Sequence, residues 1–168
     1  MKFTFAVLVS ACVATLVQAA CPSGTPTRIH QLYSPGTGDH FYTMHQPQVD
    51  NALKNLGYRY ENVVFQTWGF KGPQTTELYR MFSYENDDHF LTTSVQERDK
   101  ARAQFAYVEE GIEGYIFTKQ VCNSVPLYRL FNPSTIDHYY TISAAARDKA
   151  IKNHGYFSEG IAGYVLKP

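Results

Sequence analysis

The 168-residue chain holds one tryptophan, three cysteines and no excess of either charge, with 15 basic and 15 acidic residues. Balanced charge excludes the basic field that nucleic acid or an anionic membrane surface demands of a partner. No G-x-S-x-G, H-E-x-x-H or phosphate-loop pattern occurs, so the sequence signatures of several hydrolase and nucleotide-binding classes are missing. Asn132 precedes Pro133, which leaves no usable Asn-x-Ser/Thr acceptor for glycosylation.

Long apolar runs are also missing, except at the start. There, MKFTFAVLVSACVATLVQAA sets Lys2 before an apolar stretch, Phe3 to Val17, and ends on Ala19 and Ala20. That order predicts a secretory signal peptide over residues 1–20, cleaved near Ala20 or Cys21. The run is shorter than the roughly 20 residues of a membrane span. The expected protein is therefore secreted, extracellular or in a cell wall, with no membrane and no nucleic-acid partner. Cleavage removes Cys12 and leaves Cys21 and Cys122. In an oxidising compartment these two are expected to pair with each other; a free thiol or an intermolecular bridge is the alternative. What remains, residues 21–168, is a normal single-domain length of about 148 residues, expected to act as a monomer.

What the chain has in quantity is 13 tyrosines, 11 phenylalanines and repetition. "GTGDHFYTMH", "ENDDHFLTTS" and "STIDHYYTIS" place Asp-His at 39–40, 88–89 and 137–138, steps of 49 residues. The same step aligns Ile29, Leu78 and Leu127, then Tyr58, Tyr107 and Tyr156, then Glu61, Glu110 and Glu159, with no gap. Three such repeats, 22–70, 71–119 and 120–168, account for the chain after the signal peptide. One repeat of this size cannot bury its apolar face alone. A solenoid would need polar caps, and the last repeat stays rich in Tyr, Val and Ile to its end. Closure with pseudo-threefold symmetry is expected.

Within the third repeat, "LYRLFN" (127–132) alternates like a strand, "PSTI" turns, and "DHYYTIS" (137–143) returns as a hairpin. "SAAARDKAIKNHG" (143–155) reads as a helix, N-capped by Ser143 and ended by Gly155. Ser94 and Glu97 form a capping-box pattern at the equivalent point of repeat two. "YFSEGIAGYVL" (156–166) returns to strand, with Gly160 and Gly163 marking a bulge or bend. The predicted fold class is α+β, three β-β-α-β repeats closed into one pseudo-threefold domain. A β-trefoil-like fold and a small three-bladed propeller-like ring are the alternatives.

The segment "PLYRLFNPSTIDHYYTISAAARDKAIKNHGYFSEGIAGYVL" resembles a family of secreted repeats of uncharacterised function. Its members look like LYRLYNP, DHFYT, ERD and EGIAGYV in order. They occur in fungal secreted proteins and, in bacteria, beside cell-wall hydrolase modules. The resemblance covers residues 27–168 and supplies no catalytic residues. It implies an accessory, wall- or glycan-binding role. Tyr79-Arg80 and Tyr128-Arg129 keep the family's Tyr-Arg pair, and His30-Gln31 replaces it in repeat one.

The candidate ligand-binding residues are Asp39, His40, Asp88, His89, Asp137 and His138, with Tyr79, Arg80, Tyr128 and Arg129. A carboxylate beside an imidazole offers an acceptor and a donor to sugar hydroxyls. The competing reading makes Asp a turn cap and His a scaffold bond. A metal reading would bring three imidazoles to one axis, an open zinc-type site; no metal and no cofactor is expected. Glu61, Glu110 and Glu159 are supporting residues, expected to pair with Arg80 or Arg129. A glycan hydrolase would need one asymmetric acid/base pair, which three equal copies do not favour. Trp68 reads as a core or junction plug, with stacking on a sugar ring as the alternative. The leading expectation is non-catalytic, lectin-like binding of glycan or cell-wall polysaccharide. A protein-interaction module is the second reading and a hydrolase the third.

Overall fold

The structure is a computed structural model that describes residues 20–168. The signal-peptide reading falls on residues outside this range, Ala20 excepted. Nine strands and three helices follow the order β-β-α-β three times among the described residues. First come β1 (Thr27–Tyr33), β2 (His40–Thr43), α1 (Gln46–Asn55) and β3 (Arg59–Thr67). Then come β4 (Thr75–Ser83), β5 (Asp88–Thr92), α2 (Val95–Gln104) and β6 (Val108–Phe117). Last are β7 (Val125–Asn132), β8 (Asp137–Thr141), α3 (Ala144–Asn153) and β9 (Phe157–Val165). The fold is α+β. The helices set it apart from the trefoil alternative.

Each set of three strands is antiparallel, with its first strand in the middle: β2-β1-β3, β5-β4-β6 and β8-β7-β9. Among the described residues, strand pairing between the sets occurs where β3, β6 and β9 end. Gln66 pairs with Leu166, Trp68 with Tyr115 and Phe117 with Tyr164. The buried Trp68 ring stands edge-on to Phe117, 5.0 Å between centroids, so it does plug this junction.

The main core is built from matching positions of the three sets: Ile29, Leu78 and Leu127, then Tyr42, Leu91 and Tyr140. At one level the match breaks. Phe65 lies one 49-residue step from Gly114 and two from Gly163. A Cβ on Gly163 would meet Ile116 Cδ1 at 2.5 Å, and one on Gly114 would meet Thr67 Oγ1 at 2.2 Å. At Gly114 and Gly163 the neighbouring set's Thr67 and Ile116 already fill the space a side chain would need. Sequence pattern alone reads Gly163 as a bend. Its neighbourhood does carry a register shift, between Leu127 and Tyr128 on β7.

The inner strands β2, β5 and β8 bridge through tyrosine hydroxyls. Leu91 N–H donates to Tyr140 Oη, which donates to Leu91 C=O, both at 2.7 Å. Tyr140 N–H donates to Tyr42 Oη at 2.8 Å. Arg80 Nη1 donates to Tyr42 C=O at 3.1 Å. These bonds satisfy backbone groups that would otherwise be buried without partners. Cys21 and Cys122 form a disulfide across 101 residues, the chemistry of an oxidising environment.

Ser143 and Ser94 cap α3 and α2 as expected, each hydroxyl accepting from the N–H three residues on. The capping box is only half made. Glu97 does not return to Ser94 N–H, which donates to Thr92 Oγ1 at 3.0 Å. Its carboxylate instead takes both Nη atoms of Arg129, each at 2.8 Å. A bidentate guanidinium outcompetes a neutral amide for a carboxylate.

Candidate functional site

The Asp-His pairs lie where each hairpin turn delivers the chain into β2, β5 or β8. In an extended strand, neighbouring side chains point to opposite faces. Asp and His of one pair therefore do not serve each other. Asp39 accepts from His89 N–H at 2.8 Å and from His89 Nδ1 at 2.7 Å. Asp88 does the same for His138, at 3.0 and 2.8 Å. Asp137 does so for His40, at 2.8 Å twice. The three bonds form a closed cycle. Neither a turn cap nor a bond from His to a carbonyl describes it.

A tyrosine completes each carboxylate. Tyr58 Oη donates to Asp39 and Tyr107 Oη to Asp88, both at 2.5 Å, and Tyr156 Oη donates to Asp137. Burial first, then the adjacent aspartate charge, pushes all three phenols far above their ordinary range, so each stays a donor. The sequence displayed this partner through a fixed Asp-to-Tyr spacing of 19 residues, which pattern reasoning recorded without giving it a role.

Asp39, Asp88 and Asp137 are almost fully buried, and one oxygen of each lies within 4.8 Å of the others. The imidazoles lie outside this trio. Their Nε2 atoms diverge toward the glutamates: His40 to Glu61 at 3.9 Å, His89 to Glu110 at 3.4 Å, His138 to Glu159 at 3.6 Å. Three imidazoles therefore do not meet at one point, and the metal reading of the sequence loses its geometry. Each aspartate is already occupied by three donors.

A carboxylate accepts only, so Nδ1 carries a proton, and a second carboxylate at Nε2 favours a proton there too. Burial opposes the charged form of His89. The charge and hydrogen bond of Asp39, joined by Glu110, overcome it and raise the group to about 9. Burial likewise opposes His40, and Asp137 and Glu61 raise it. Burial would lift Glu110, but His89 and Arg80 bring it down to about 2.

These shifts predict a stability optimum. His89 is raised from 6.5, so its contribution is complete below pH 6.5 and is lost as pH rises through about 9. Glu110 is lowered from 4.5, so its contribution is complete above pH 4.5 and is lost as pH falls through about 2. Thermal melts across pH should show the highest melting temperature between about 4.5 and 6.5. A maximum above pH 8 would contradict the assignment.

Each imidazole is also gripped between two rings. Tyr33 and Tyr139 flank His40 at 4.8 and 5.0 Å; Phe82 and Phe41 flank His89 at 4.3 and 4.8 Å. Phe131 and Phe90 flank His138 at 4.7 and 5.2 Å. Beside each lies an open groove, with volumes of about 640, 650 and 650 Å³. The first groove runs between β1–β3 and α3, the second between β4–β6 and α1, the third between β7–β9 and α2. Each therefore draws on two β-β-α-β units, and each exposes the edge of its Asp-bound His, the Glu beside it and an aromatic floor.

The other sequence candidates separate. Tyr79 and Tyr128 face away from the grooves, under their own helices, with Arg98 and Arg147 guanidinium groups 4.7 and 4.5 Å above the rings. Arg80 and Arg129 turn the other way. Arg80 Nε meets Glu110 at 2.7 Å, and Arg129 Nε meets Glu159 at 2.9 Å, as the sequence suggested for the glutamates. Arg80 also pairs with buried Glu113. Tyr79 with Arg80, or Tyr128 with Arg129, thus forms no common surface. No helix among the described residues is long and apolar enough to cross a membrane.

Over residues 28–166 the chain matches the family described as Domain of unknown function (DUF5648), and it belongs to that family. No curated protein and no solved structure matches it.

Proposed function

We propose that the protein is a secreted, non-catalytic carbohydrate-binding protein of the extracellular space or cell wall. In this reading three repeats close around a pseudo-threefold axis, and each junction between neighbours makes one groove. The observation that carries the proposal is the recurrence of one groove lining three times. Aromatic rings offer apolar faces to the C–H side of a pyranose. Beside them a His Nε2 and a Glu carboxylate stand 3.4–3.9 Å apart. A sugar hydroxyl can donate and accept at once and so engage both.

The buried aspartates serve this arrangement from behind. They hold each imidazole oriented and favour the charged form of His40 and His89, so little freedom is lost on binding. Three grooves on one rigid body suit a polymer, because avidity grows without any new contact. Hydrolysis is disfavoured by the same electrostatics. A glycosidase acid needs a raised pKa, and Glu110 is biased the opposite way, to about 2.

The test is sedimentation of the secreted protein with insoluble cellulose, chitin, β-1,3-glucan and xylan. Depletion from the supernatant by at least one polymer, reversed by its soluble oligosaccharides, is expected. A protein that stays in solution with all four, and on a glycan array marks nothing, would sink the proposal in favour of a protein-interaction module.

A further inference from the structure

The three grooves are not equal, and the difference falls on the wall that meets ligand. In the second groove Arg80 bonds Glu110 at 2.7 Å and reaches Gln48 on α1 at 3.1 Å. In the third unit Arg129 forms an ion pair with Glu159 at 2.9 Å and is clamped by hydrogen bonds to Glu97 on α2. Both arginines bridge their strand to the facing helix and neutralise the groove glutamate. In the first groove both ends of that bridge are gone. Gln31 stands at the arginine position, and Ala146 on α3 stands where Gln48 and Glu97 do.

Glu61 is left with Gln31 Nε2 at 2.5 Å, and among the described residues its one cation within 4 Å is His40, at 3.9 Å. Its side chain is the most exposed of the three, 38% against 27% and 30%. The surroundings are correspondingly polar. Tyr33 and Tyr139 carry hydroxyls where the other grooves have Phe82 with Phe41 and Phe131 with Phe90, and Asn62 replaces glycine. A carboxylate already paired with guanidinium gains little from a hydroxyl donor. One held only by an amide gains a charge-assisted bond.

We infer that the first groove is the principal saccharide site and that residue 31 sets its preference for a neutral, hydroxyl-rich pyranose. This rests on the carbohydrate reading above. It reverses what a motif count suggests, since repeat one is the copy that departs from the Tyr-Arg pattern.

The experiment is isothermal titration of the secreted protein with cellohexaose, laminarihexaose and chitohexaose. At least one should bind with one strong site per chain. Gln31→Arg installs the residue the sister repeats carry and should weaken that site at least tenfold. Asn62→Gly, equally native to the sisters, should weaken it several-fold and serves if the arginine variant does not fold. Tyr84→Ala and Phe105→Ala, at exposed rings of the second and third grooves, should stay within twofold. If those two lose binding while the variants at 31 and 62 keep it, the inference is overturned and the carbohydrate reading stands. If no hexasaccharide binds the wild type, both are rejected together.

Discussion

Asp39→Ala is expected to lower unfolding stability by about 4 kcal/mol, the cost of leaving one member of a buried ion pair alone. The variant strips His89 of the acceptor for its N–H and its Nδ1, and Tyr58 of the acceptor for its hydroxyl. His89 is the most buried of the three imidazoles. It would keep only Glu110, at 3.4 Å, and would have to discharge or open the fold. For a domain of this size the melting temperature should fall by roughly 10 °C. Tyr58→Phe removes a single donor and should cost about 1.5 kcal/mol. Equal small effects of the two variants would mean that Asp39 is not the anchor of the cycle.

Removing the disulfide should have an effect of similar size. Joint replacement of Cys21 and Cys122 by serine frees a loop of 101 residues in the unfolded chain. Chain-entropy reasoning assigns such a loop about 4.7 kcal/mol. The bridge ties the segment before β1 to the turn before β7. Without it, that segment keeps smaller ties, such as the packing of Pro22 against Gly72. Urea unfolding should show a clear drop in midpoint and a steeper slope, because the freed chain exposes more surface on unfolding. An unchanged midpoint would assign the bridge no role in stability.

Much of the local structure was legible because it is written locally. Alternation in "LYRLFN", the turn residues after it, and Ser143 with Gly155 around α3 each act within a few positions. The wiring of the site was not legible, because its partners lie 50 or 97 residues apart. The 49-residue step displayed Asp, His, Tyr and Glu in matching places, but nothing in it says that each Asp reaches the next repeat's His. One error was avoidable. Tyr79 and Arg80 are adjacent in a strand, and the period of two already places them on opposite faces. Glu97 shows the other kind of miss. Its position suits a capping box, and only the approach of β7 brings the guanidinium that takes it instead. Gly114 and Gly163 are a third case, since they are required by the approach of Thr67 and Ile116 from the neighbouring set.

The account stands most directly on where a sugar touches the molecule. Chemical-shift mapping of the ¹⁵N-labelled protein with the hexasaccharide of a polymer that sediments it would read this in one titration. The account predicts saturable shifts at the groove walls, largest at Glu61 and Asn62, then at the equivalent Gly111 and Gly160. The buried Asp39, Asp88 and Asp137 should move less than the walls. Shifts confined to the outer helix faces, or none at millimolar sugar, would contradict it.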